Sequence, residues 1–191
     1  MHIEFEATFV HIDKENIRKK LDALSASIVH KEYIMKRMVF HPPVESKGSW
    51  MRVRQEANII TMSYKKVTGN NIEDQKESLV TVTNFDDAVQ FLESIGARKK
   101  AYQENKRELW KLNEVEITID TWPGLLPYIE IEARSEKLVQ QVTKQLGFEY
   151  KEAIFGAADE IYYRELGVPK SIINDHTPEI TFQHPPKKYV A

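Results

Sequence analysis

Ile129-Glu130-Ile131-Glu132-Ala133 alternates apolar and acidic residues without a break. Strand side chains point to opposite faces with a period of two, so this stretch has one oily face and one face bearing two carboxylates. Five further stretches follow the same rule: Ile3-Glu4-Phe5-Glu6-Ala7, Met51-Arg52-Val53-Arg54, Met62-Ser63-Tyr64-Lys65, Asn105-Lys106-Arg107-Glu108-Leu109 and Val115-Glu116-Ile117-Thr118-Ile119-Asp120. Their charged faces carry both acids and bases, which suggests a surface that holds a polyanion and its metal ions. Two blander readings stay open. The charged faces could be turned to solvent for solubility, or cross-strand Arg–Glu pairs could simply neutralise the sheet.

The bulk composition narrows the classes. A chain of 191 residues with 41% hydrophobic content suffices for one sizeable core. Lys plus Arg number 27 against 29 Asp plus Glu, a net charge of −2, so no nucleic-acid partner is expected. There is no cysteine, which excludes disulfides, thiolate zinc sites and a cysteine nucleophile. Six histidines, at 2, 11, 30, 41, 176 and 184, include no i, i+4 pair, so zinc is not expected either. Gly-x-Ser-x-Gly, P-loop and Rossmann glycine patterns are missing. No apolar run approaches the ~20 residues of a membrane span. The expectation is a soluble, cytoplasmic protein with no membrane partner.

Three helices are expected around the strands. Asp13 is a plausible N-cap for one that ends at Leu24, with Ile17, Leu21 and Leu24 at core spacing. A second starts near Asn84 or Asp86, carries Ala88, Phe91, Leu92 and Ile95, and stops at Gly96. A third runs from Ser135, with Leu138, Val142 and Leu146 before Gly147. Two hairpins are expected, around Gln55–Asn58 and around Leu112-Asn113. Pro123-Gly124 is a turn into the Tyr128–Ala133 strand. Residues 1–166 read as one domain, and 167–191, with four prolines, read as an irregular tail packed on or near it, with one short strand possible at Glu179–Phe182. So many antiparallel strands with so few helices most simply close into a barrel or deep trough.

The carboxylate pairs carry the chemistry. Within Glu4-Phe5-Glu6 and Glu130-Ile131-Glu132 the two Cβ atoms of a pair lie about 7 Å apart by strand rise. If the apolar residues pack outward against helices, all four carboxylates line an enclosed side. Crowded like charges raise each other's pKa, and hard divalent ions with oxygen ligands relieve that conflict. Glu116, Thr118 and Asp120 make a third row, which can add one more ligand. Arg52 with Arg54, Lys65 and Arg107 supply groups able to bind phosphate oxygens, guanidinium bidentately and lysine as a point charge.

In order and spacing the motifs resemble the CYTH superfamily, the triphosphate tunnel metalloenzymes, over roughly Met1 to Leu166. The residues that carry the likeness are the N-terminal Glu-x-Glu, Arg52-x-Arg54, Tyr64-Lys65, Gln103-Glu-Asn-Lys-Arg-Glu-x-Trp110, and Pro123-Gly-Leu leading to Glu130-x-Glu132. The resemblance implies an α+β fold, an eight-stranded antiparallel β-barrel forming a tunnel, with helices packed outside. It implies that Glu4, Glu6, Glu130 and Glu132, with Asp120, hold Mg²⁺ or Mn²⁺, and that Arg52, Arg54, Lys65 and Arg107 bind phosphates. Lys65, Arg52 and Glu6 are the catalytic candidates. Three activities fit: hydrolysis of a nucleoside, inorganic or other organic triphosphate; cyclisation of ATP to cyclic AMP; or binding of a polyphosphate or nucleotide without turnover. Two positions depart from the family pattern. Thr8 stands where a lysine belongs, and Asn105 where many relatives place a second basic residue. The expected partner is a triphosphorylated small molecule, and a homodimer stays open.

Overall fold

Alternation of apolar and charged residues is realised as strand pairing through most of the chain. A computed structural model describes the backbone of residues 2–3, 5–69 and 71–190, and their side chains apart from His2, Ile3 and Glu73. In chain order the elements begin with β1 (His2–Ile3), β2 (Phe5–Phe9), α1 (Lys14–Ala23), β3 (Ser27–His41), β4 (Ser49–Glu56), β5 (Ile59–Val67) and β6 (Gln75–Val82). They continue with α2 (Phe85–Ser94), β7 (Arg98–Leu112), β8 (Val115–Thr121), β9 (Tyr128–Ala133) and α3 (Glu136–Leu146). The chain then forms α4 (Ala158–Leu166), α5 (Lys170–Asp175) and β10 (Glu179–Ile180).

Eight main strands, β2 to β9, make one antiparallel sheet in the order β6-β5-β4-β3-β7-β8-β9-β2, curled into a half-barrel with the helices outside it. The two-residue β1 pairs with β6, whereas β2 pairs with β9, so successive N-terminal strands reach opposite margins of the sheet. The two-residue β10 joins β7 in parallel. The first hairpin is tighter than the expected turn at Gln55–Asn58, and the second has the expected two-residue loop shifted by one position. Glu56 lies opposite Ile59 and Leu112 opposite Val115, leaving two-residue loops at 57–58 and 113–114. Each loop starts with a positive φ, 47° at Ala57 and 55° at Asn113, as such tight hairpins require.

The outer face is the oily one. Ala7, Phe9, Ile117, Ile119, Ile129 and Ile131 pack with Ile17 and Leu21 of α1 and Val139, Val142 and Leu146 of α3. Helices α1, α2 and α3 start as their cap residues predict: Asp13, Asn84 and Ser135 accept hydrogen bonds from backbone N–H groups of the first turn. Helix α2 covers Phe40 and Val53 with Ala88, Val89 and Leu92. Phe91 and Ile95, expected in the core, instead lie on the solvent side at 54% and 47% exposure.

The C-terminal region departs most from expectation. β10 falls within the short strand expected at Glu179–Phe182, but α5 was not expected, and together they place Val168, Ile173 and Ile180 against Trp122, Tyr128, and Ile161 and Tyr162 of α4. Neither α4 nor α5 has a side-chain N-cap to announce it, which is why the sequence gives so little sign of either. The tail also crosses the Pro123-Gly124 turn. Gly124 has φ +80°, and a Cβ there would stand 2.5 Å from the Pro186 carbonyl oxygen.

Candidate functional site

The inner face of the half-barrel receives alternate residues from every main strand and encloses a cavity of about 1400 Å³. Arg37 of β3, Arg52 and Arg54 of β4, Lys65 of β5 and Arg107 of β7 line it. So do Glu6 of β2, Glu56 of β4, Glu77 of β6, Glu116 of β8, and Glu130 and Glu132 of β9. The charged faces therefore turn inward, with Ala7, Val53, Ile129 and Ile131 buried outside the cavity.

Acids gather on the wall made by β2, β9 and β8. Glu6 lies directly opposite Glu132, which lies opposite Glu116; one step along, Glu130 sits between Thr8 and Thr118. Like charges so placed repel. Burial, reinforced by the Glu6 and Asp120 charges, pushes the Glu130 carboxyl up to about 8, although Arg107 opposes the rise. Glu132 is raised too, by burial first, against Lys65, and then by Glu116 and Glu130. Glu4 lies outside the described residues.

Oxygen is the only donor type this wall offers, and its Glu130 and Glu132 carboxyls hold their protons more tightly than usual, so in chemistry it fits a hard divalent cation. Among the described residues no three acidic or imidazole groups already form a metal cluster. Thr8 is buried, and its backbone exchanges hydrogen bonds with that of Ile154.

Each base on the facing wall is already engaged. Arg52 Nη2 lies 3.0 Å from Glu77 Oε1, and Lys65 Nζ 3.9 Å from the other oxygen of Glu77. Arg54 Nη2 reaches Glu56 at 2.8 Å. Arg107 bridges the walls, with Asp120 and Glu130 on one side, the latter at 2.7 Å, and Glu56 3.8 Å away on the other. Burial works against the Arg107 charge, yet these carboxylates hold the guanidinium well above its ordinary value. Asp120 is fully buried and does not line the cavity. It accepts from Arg107 Nε at 2.9 Å, Asn105 Nδ2 at 2.7 Å and Thr118 Oγ1 at 3.3 Å. Asp120 thus anchors Arg107, and a metal ion would have to share oxygens that these donors already use.

Among the charged residues of the cavity that the sequence reading did not name are Arg37, Glu56 and Glu77. Glu77 could have been found as a cross-strand partner, because the sheet register sets it opposite Lys65, and Glu56 could have been found by the period-two rule, two residues after Arg54 on the same face. Arg37 had no such signal, since the adjacent pair Lys36-Arg37 leaves open which of the two faces inward. Burial, then repulsion from Arg52, Arg54 and Arg107, pushes the Arg37 guanidinium down to about 9. Part of the cavity lining is aromatic, with Tyr162 edge-on to Trp122 at 6.3 Å between centroids.

A curled antiparallel sheet with basic and acidic rows facing one cavity defines a charged-tunnel protein. The CYTH domain profile matches residues 4–161, and the chain belongs to that family. Solved structures share the fold. A conserved hypothetical protein from Pyrococcus furiosus is 22% identical, with 78% of this chain and 94% of that chain covered and a TM-score of 0.65. A proposed adenylate cyclase from Vibrio parahaemolyticus is 16% identical, covering 84% and 97%, with a TM-score of 0.71. A Hippeastrum protein, proposed as an adenylyl cyclase and found to have a dominant triphosphatase activity, is 16% identical, covering 86% and 95%, with a TM-score of 0.55. No curated protein matches the chain.

Proposed function

We propose that this chain is a metal-dependent enzyme that hydrolyses a nucleoside, inorganic or other organic triphosphate inside the charged half-barrel. The observation that carries the reading is the pair of opposed rows, Arg52, Arg54, Lys65 and Arg107 against Glu6, Glu130 and Glu132, around one cavity of about 1400 Å³. A triphosphate fits between them because it needs cations on both sides. The basic row supplies one set as side chains, and Glu6, Glu130 and Glu132 would hold Mg²⁺ or Mn²⁺ as the other. Bound there, the metal would add Lewis-acid charge on the phosphate oxygens.

In hydrolysis a water oxygen forms a bond to phosphorus and the bridging P–O bond breaks. The electron pair leaves on the shortened phosphate chain. Arg52 and Lys65 lie where they would neutralise charge on the phosphate oxygens, and Glu6 would accept the proton released by water. The triphosphatase activity of the Hippeastrum relative supports hydrolysis over cyclisation.

A substrate panel decides the matter. Purified protein with Mg²⁺ or Mn²⁺ is expected to release phosphate from inorganic triphosphate, ATP or another triphosphate. Cyclic AMP with pyrophosphate as the main products would make it a cyclase. Tight binding with no product from any substrate would make it a binding module.

A further inference from the structure

Arg37 belongs to no motif, yet its surroundings are those of a ligand-binding group. It is 6% exposed and lies directly opposite Arg54 on the neighbouring strand. Among the described residues it forms no ion pair. Its partners are neutral: Asn105 Oδ1, Met35 Sδ at 3.1 Å, and the face of Trp122, 4.5 Å from the ring centroid. Asp120 is close enough to attract it, but that carboxylate already accepts from Arg107, Asn105 and Thr118.

A buried cation beside a like charge is unfavourable in the absence of an anion. The surrounding donors point the same way. The Nε groups of Arg37, Arg52 and Arg54 are all buried without a hydrogen-bond partner. Three such orphans in one cavity are rare in a folded protein and call for an explanation.

We propose that Arg37 is a further substrate-binding residue, which with Arg52 and Arg54 forms a three-guanidinium seat for one phosphoryl group beside Trp122. The proposal rests on the reading that the cavity takes a polyphosphate chain. Three guanidinium groups that turn onto one tetrahedral anion would bring the orphaned Nε donors to its oxygens and offset the repulsion between Arg37 and Arg54. Asn105 then has a positioning role. Its amide group donates to Asp120 while its carbonyl oxygen accepts from Arg37, so the neutral side chain links the two and holds a cation above the seat.

Arg37→Met and Arg37→Lys separate this role from simple packing. Titration calorimetry with inorganic tripolyphosphate, with and without Mg²⁺, is run beside thermal unfolding of the free proteins. Arg37→Met is expected to weaken tripolyphosphate binding about ten- to hundredfold while unfolding at or above the wild-type temperature. Arg37→Lys, which keeps the charge and loses the planar fork, is expected to fall between. Unchanged binding by Arg37→Met overturns the proposal, as does weaker binding joined to lost stability, which would mark Arg37 as a packing residue for Trp122. Should Arg37→Met fail to fold, Arg37→Lys is judged by the same two criteria. Wild-type protein that binds no tripolyphosphate sinks the triphosphate reading, and this proposal with it. Wild-type binding with an indifferent Arg37 sinks only the proposal.

Discussion

Arg107 and Asp120 hold each other through two guanidinium nitrogens, with Asp120 wholly out of water. Removing one partner of such a pair strands the other's charge, so Arg107→Met should destabilise the protein by roughly 3–5 kcal/mol, as read by urea unfolding. Glu130 gives a pH signature. Its carboxyl is raised from an ordinary 4.5 to about 8, so folding favours the protonated form. Its stabilising contribution is full at acid pH below the unfolded value, declines as pH rises, and is gone above about 8. Metal-free protein should therefore melt at progressively lower temperature between about pH 5 and 8, and Glu130→Gln should flatten that slope. An unaltered slope in Glu130→Gln would refute the assignment. Glu6, Arg52, Arg54, Arg107, Glu130 and Glu132 were legible as inward-facing residues, because a single period-two rule sorts each of them with its neighbours. Arg37 was not. A Lys-Arg dipeptide in a strand has one member on each face, and only the register with Arg54 shows which is buried.

The helices were legible where a polar cap marks the start, as at Asp13, Asn84 and Ser135, and invisible where no cap exists, as at α4 and α5. Their buried faces were legible only in part. Leu92 and Phe91 are adjacent in α2, yet Leu92 is fully buried and Phe91 is 54% exposed. Leu92→Ala should cost about 2–5 kcal/mol of unfolding free energy, whereas Phe91→Ala should stay within about 0.5 kcal/mol of wild type. Equal losses would mean that α2 sits on the sheet in another rotation. Strand β6 was missed for a related reason. Only its Gln75–Glu77 end is inward and buried, while Leu79 and Val80 are both about half exposed, so no oily face repeats along it.

At the scale of the whole molecule, the tail contributes to the cavity lining and packs with its aromatic residues. Val168, Ile173 and Ile180 are each at most 4% exposed, and burying a side chain of this size stabilises by roughly 1.5–3 kcal/mol. Removal of residues 167–191 should lower the melting temperature and increase the binding of an apolar dye to the uncovered Trp122–Tyr162 surface. An unchanged melting temperature would show that this cluster is not part of the cooperative fold. The half-barrel itself was legible from the number and alternation of its strands, but which tail residues line the cavity was not, because that contact depends on residues far apart in the chain. The N-terminal strands have a further consequence, in time as well as in space. They leave the ribosome before the rest of this sheet, but β6 lies some seventy residues later and β9 more than a hundred, so they must wait for both partners. Joining the two rims is therefore a late event with a large loop-closure penalty, and the nascent chain carries an unmatched edge until it happens.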